Sequence, residues 1–479
     1  MDSAPLIQTF RTLSRHERRK LEKFVNSPVF NQRDDVKRLF AYLCEQVPVG
    51  GAGQENIALL KASAYEHVFP RTAGKKAALY HDASLRHAMS FLFKVIKQYL
   101  AYSSWSESDT ETGLYLCRAL RQKGLDKIYA KEYKTLEAGF QAESRQSADY
   151  FFRQYQLRLE YWEVFHRTDR GAVTNLREVN DAFGAFVATS VLRQGCAILS
   201  KPGNQENIQS LAYLPETLAA VRQGKFDHLP AVLVYYRCFN MLSGQEPQVH
   251  FQELKTLLEQ HWLLFPQHEA RDIYVAAINF CIRQLNTGAR PYVREALDLY
   301  RAGLQRNLIF EDGFLSKYTY NNILLLAIAS EEWEWAREFL EAYRSALPPR
   351  DRDSAYRYNL ATYHFRKKEY RRAQEILRHV EFRDPFYNLD SRRMLIRIYF
   401  DSGETAALES MLDSFAVYLR RKRVSLDYHK DLNLNFVRLV KNILHLEPGN
   451  KTEQEALREK ILTTKYLAER EWLLGKLPK

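Results

Sequence analysis

Glycine and proline are scarce in this chain, with 19 and 15 copies among 479 residues. That scarcity argues against the many tight turns of a β-sandwich, barrel or propeller. Cysteine is rarer still: five copies, an odd number, at 44, 117, 196, 238 and 281. Scattered thiols of this kind make no disulfide framework and suit buried cysteines in a reducing compartment. Long apolar runs are missing too. The longest, Ile323 to Ala329, is far below the ~18 residues that a membrane span needs, so no membrane partner is expected. The start, Met1-Asp2-Ser3-Ala4-Pro5, lacks the basic segment and apolar core of a secretory signal. The expectation is a cytoplasmic protein.

What the chain does have is aromatic bulk and charge. It carries 29 Tyr and 27 Phe, enough ring surface for a large core, and its 46% hydrophobic and 27% charged content is that of a folded protein. The net charge of +12 is uneven. Residues 1–101 hold 16 Lys/Arg against 9 Asp/Glu, and residues 354–430 hold 16 against 10. The middle, 102–353, holds 29 against 32. Basic ends around a slightly acidic middle point to an acidic partner, protein or nucleic acid, unless they are plain solvated helix faces.

Nearly every stretch reads with helical period. Ser14 and Glu17 form a capping box, and Leu21, Phe24 and Val25 then line one face until Pro28 stops the helix. Val36, Leu39, Phe40 and Leu43 mark a second helix. Two more are expected over about 55–68 and 77–101, the last with Leu85, Met89, Leu92, Ile96 and Leu100 on one face. Residues 1–105 therefore read as a four-helix module, followed by divergent helical hairpins over 106–312 and better-formed repeats over 313–479. Breaks such as Ser243-Gly244, Pro348-Pro349 and Ser402-Gly403 set hairpin units starting near 229, 267, 313, 352, 388 and 426. A hairpin this small cannot bury its own apolar face, so the expected fold is an all-α solenoid of stacked antiparallel hairpins with no sheet.

Residues 317–421 resemble the tetratricopeptide repeat, a 34-residue helical hairpin. In 317–350, Tyr320, Ile323, Trp333, Ala336, Leu340 and Pro348 take its positions 4, 7, 17, 20, 24 and 32. In 354–387, Leu360, Ala361, Tyr370, Ala373, Leu377 and Pro385 take 7, 8, 17, 20, 24 and 32. In 388–421, Met394, Ala407 and Met411 keep 7, 20 and 24, while Glu404 replaces the aromatic at 17. Small residues at 8 and 20 would let the paired helices approach, and proline would end the second. The resemblance implies a groove lined by the first helix of each hairpin. Position 6 there is Asn322, Asn359 and Arg393, similar to the carboxylate-clamp subclass that holds the C-terminus of a peptide. Thr362, Arg366 and Ile396 complete the expected wall, whereas Tyr318 and Leu389 stand where that subclass has lysines.

Catalytic signatures are mostly missing. Gly50-Gly51-Ala52-Gly53 lacks the Lys-Ser/Thr of a phosphate loop, no His-Glu-x-x-His occurs, and no two cysteines have metal-ligand spacing. No enzyme activity, cofactor or metal is expected. Two amides and a guanidinium suit an extended peptide and its carboxylate, so the leading expectation is a scaffold for an acidic or C-terminal peptide. The alternative is a nucleic-acid-binding regulator. It would use two basic clusters, Arg15, Arg18, Arg19 and Lys23 on the first helix and Arg420, Arg421, Lys422 and Arg423 after Phe415 and Tyr418. A helix dipole alone would also favour cations at the second cluster.

Overall fold

In a computed structural model, described over residues 4–49, 61–70, 80–143, 145–168, 175–201, 203, 205–378, 384–421, 427–447 and 450–477, the chain is all-helical. Among the described residues there is no strand, only a single antiparallel bridge between Glu311 and Phe314. The residues group into two compact units, Met1–Val187 and Ala188–Lys479.

The first unit opens with a helix the pattern reading passed over. Pro5 starts α1 (Pro5–Thr12), where its missing N–H costs nothing, and Leu6, Ile7 and Phe10 face inward. Helix α2 (Arg15–Asn26) begins at the expected capping box: Glu17 N–H donates to Ser14 Oγ at 3.2 Å, and Ser14 N–H donates to Glu17 Oε2 at 2.7 Å. With α3 (Asp34–Gln46), α4 (Lys61–Val68) and α5 (Asp82–Ser106) it encloses a core of Leu21, Val25, Leu39, Leu43, Leu92 and Ile96. The module thus has five helices among the described residues, not four. Each fully buried aliphatic side chain contributes roughly 1.5–3 kcal/mol through removal from water. A separate cluster around Cys117, Tyr129, Tyr133 and Leu157 holds α6 (Asp109–Gln122), α7 (Asp126–Ala142) and α8 (Ala148–Thr168) together. There the buried Glu160 carboxylate sits 2.5 Å from Arg121 and 3.6 Å from Arg118.

Helix α9 (Leu176–Leu199) contains the unit boundary. By length and composition it is the one described helix apolar enough to cross a membrane. A count of uninterrupted apolar residues missed it because Thr189 and Ser190 break the run. Ala188, Leu192 and Cys196 on it are buried in the protein. Gly195 lets it lie against α11, since a Cβ there would meet the Phe239 ring at 2.8 Å.

The second unit continues with α10 (Leu214–Arg222) and then with helices that pack in consecutive pairs: α11 (Pro230–Ser243) on α12 (Pro247–His261), α13 (Gln267–Asn286) on α14 (Tyr292–Gln305), and α15 (Lys317–Ala329) on α16 (Trp333–Ala342). The pairs α17 (Arg352–Arg366) with α18 (Tyr370–Arg378) and α19 (Pro385–Asp401) with α20 (Thr405–Arg421) follow. Helices α21 (Asp427–Leu444), α22 (Lys451–Thr463) and α23 (Arg470–Lys476) end the chain. Ala336, Ala361 and Ala373 are fully buried, so small residues do occupy the interior of these pairs. Two details differ from the repeat reading. Pro385 opens α19 behind its Asp384 cap instead of closing the preceding helix. In α20 the buried positions are Leu408, Leu412, Phe415 and Leu419, the first two one residue on from Ala407 and Met411.

Candidate functional site

The first helices of the last pairs share a cleft of about 370 Å³. α15 contributes Tyr318, Asn321 and Leu325, α17 contributes Tyr358, Thr362, Phe365 and Arg366, and α19 contributes Asp390, Arg393 and Arg397. His429 on α21 and Glu469, just ahead of α23, complete it. Of the expected groove residues, Thr362, Arg366 and Arg393 lie here together.

The two asparagines do not line the cleft. Asn359 is fully buried, and its Nδ2 donates back to Ala355 O at 2.8 Å. Asn322 is half-buried beside the Tyr300 hydroxyl, whose pKa burial raises and this hydrogen bond partly restores. Its neighbour Asn321 faces the cleft instead, and Asn321 Oδ1 is a buried acceptor with no hydrogen-bond partner among the described residues. One residue is about 100° of helix rotation, enough to exchange a groove position for an interior one.

The cations differ in what already holds them. Arg366 is exposed and has no carboxylate within ion-pair distance among the described residues. Arg393 is paired with Asp390, lies 3.6 Å from Glu469 and donates to Asn433 Oδ1 at 3.1 Å. Arg397 donates to Glu469 Oε2 at 2.6 Å. Burial raises the Tyr358 phenol well above its usual value, so it stays protonated and donates to Asp390 at 2.5 Å. Tyr358 also stacks on Tyr387 with ring centroids 4.0 Å apart. Tyr318 and Phe386 at the edge are 57% and 45% exposed, which leaves apolar surface for a partner.

An ion pair fixes the lip. Lys317 Nζ lies 2.6 Å from Asp384, the cap of α19, which also accepts from the Phe386 and Tyr387 amides. Burial alone would raise the Asp384 carboxyl, but these donors outweigh it and hold the pKa below the usual value. A carboxylate depressed in the folded state adds stability above its unfolded pKa of ~3.9 and loses it as pH falls through the folded value. Lys317→Met is therefore expected to move the acid unfolding transition to higher pH, read by far-UV circular dichroism. An unchanged transition would remove this pair from the account of the lip.

The basic clusters fare differently. Arg15, Arg19 and Lys23 are exposed on α2, but Arg18 is buried at 5% exposure and donates to Val47, Phe10 and Pro48 carbonyls. It is a structural staple, not part of the stripe. Arg420 is exposed at the end of α20, whereas the Arg421 side chain, Lys422 and Arg423 lie outside the described residues.

A second cavity, about 340 Å³, lies between α9, α11 and α13. Its buried Glu269 is held internally by Arg193 at 3.0 Å and the Tyr235 hydroxyl at 2.5 Å. Burial pushes the Cys196 thiol there well up, which makes it a poor nucleophile. Among the described residues no three His, Cys, Asp or Glu side chains are grouped to hold a metal ion. The chain matches no protein-family model, no curated protein and no solved structure.

Proposed function

We propose that the helix pairs of the second unit stack as a tetratricopeptide-like solenoid and that the protein is a non-enzymatic interaction scaffold, in keeping with a reducing, cytoplasmic setting. Its cleft would take an extended acidic peptide. The observation that carries this reading is Arg366, an exposed guanidinium without a carboxylate in ion-pair reach among the described residues, set in one cleft with Asn321 Oδ1, unpartnered among them too, and the exposed rings of Tyr318 and Phe386. A guanidinium can fork onto a carboxylate, an amide oxygen can accept from a peptide N–H, and the rings can cover apolar side chains.

The test is fluorescence polarisation with a labelled peptide of alternating Glu and Phe. Arg366→Glu should weaken binding about tenfold, roughly 1.4 kcal/mol, because attraction becomes repulsion at one contact. Joint reversal of Arg15, Arg19 and Lys23 to Glu should leave it unchanged. The competing reading, a nucleic-acid binder, rests on those three exposed α2 cations together with the exposed Arg420 at the end of α20. It would take over if a labelled single-stranded oligonucleotide bound, lost affinity with the α2 reversals and ignored Arg366→Glu.

A further inference from the structure

The arginine pair of the cleft already holds a carboxylate, and that carboxylate belongs to this chain. Glu469 comes from the turn between α22 and α23, 72 residues beyond Arg397, and reaches back to both guanidinium groups. Its backbone lies at φ +55°, the left-handed region that non-glycine residues adopt at a conformational cost. Contacts other than this ion pair also hold the turn. Arg470 donates to the Ile461 and Thr464 carbonyls at 2.6 and 2.5 Å. Leu473 is fully buried, and Trp472 packs edge-on against Phe400 with ring centroids 5.2 Å apart. These contacts are made by the neighbours of Glu469 and not by its carboxylate, so exchange of the carboxylate alone would leave them in place.

Glu469 also leaves the arginines partly unmet. The Nε–H groups of Arg393 and Arg397 are both buried without a hydrogen-bond partner among the described residues, that of Arg393 facing Glu469 Oε1 only at ion-pair range, 3.6 Å. A buried guanidinium donor left unpaired is unfavourable, and a carboxylate placed squarely on the pair would remove that penalty. Asp390 is not the exchangeable acid, because the Tyr358 hydroxyl holds it from the other side.

Resting on the peptide-scaffold reading, we propose that Glu469 is a built-in competitor: a partner's carboxylate reaches Arg393 and Arg397 by displacing it. The cleft then has two unlike contacts, Arg366 open from the outset and the Arg393–Arg397 subsite open only on exchange. Occupancy by an internal ligand lowers apparent affinity by the fraction of time the site is blocked.

The experiment titrates the full chain with the labelled Glu/Phe peptide. Glu469→Gln keeps the shape and removes the charge. Glu469→Gly removes the side chain and relaxes the left-handed backbone, so a folding defect in one variant would not be shared by the other. Both are expected to bind about tenfold tighter than the wild type. Equal affinity in all three chains, with Arg366→Glu still weakening binding, would overturn the competitor and leave the scaffold reading in place. Weaker binding by both variants would make Glu469 a support of the site and overturn the proposal as well. A peptide that binds none of the chains would remove the scaffold reading, and the competitor with it.

Discussion

Replacing Arg18 by Met should destabilise the N-terminal helices by roughly 3–4 kcal/mol. The guanidinium donates to Val47 O at 2.5 Å, Pro48 O at 3.1 Å and Phe10 O at 3.2 Å, and it lies 4.5 Å over the Phe10 ring. These carbonyls belong to the ends of α1 and α3, where helices leave acceptors without intrahelical donors. Hydrogen bonds from a charged group each contribute about 1.5–3 kcal/mol, and stranding buried acceptors adds their desolvation cost, partly offset by the apolar packing of Met. Arg18 serves the three carbonyls from two separate nitrogens, a span that one compact lysine ammonium does not match, so Arg18→Lys should recover less than half of the loss. Hydrogen exchange by mass spectrometry gives the readout, with amides of α1–α3 exchanging on the order of several hundredfold faster in Arg18→Met. Unchanged protection there would return Arg18 to the surface stripe.

Arg18 also shows where the sequence was legible. The capping box was readable because both of its bonds close within four residues. The burial of Arg18 was readable as well, since it precedes Leu21 and Val25 by three and seven residues and so shares their inward face. Charge type masked that periodicity. Helix α1 had its signal too, a proline at the first position followed by inward Leu6, Ile7 and Phe10. The cleft is lined by α15, α17 and α19, the helices of the expected groove, but Asn359 of α17 is not among its lining residues, and α15 turns Asn321 into it in place of Asn322. That helix is apolar on most sides from Ile323 to Ala329, so its pattern does not fix its facing to within a residue. Glu469 left no local trace at all, because only the folded chain brings it across 72 residues to Arg397.

Truncating Tyr320 to Ala should destabilise the second unit by about 4 kcal/mol. The side chain is fully buried, and its ring centroid lies 5.0 Å from that of Phe339 on the paired helix. Removing a buried aromatic ring costs about 3–5 kcal/mol through lost burial and the cavity left behind. Its hydroxyl also donates to Leu340 O at 2.6 Å, within the last turn of α16, where carbonyls lack helical partners. Tyr320→Phe isolates that bond and should cost only about 1 kcal/mol. The ring thus packs α15 against α16 while the hydroxyl caps α16, and α15 carries Tyr318 and Asn321 into the cleft. Hydrogen exchange should accelerate through both helices in Tyr320→Ala, with loss of Glu/Phe peptide binding, whereas Tyr320→Phe keeps that affinity within about twofold. If α15 kept its protection without the ring, the Tyr320–Phe339 contact would not be what holds α15 against α16.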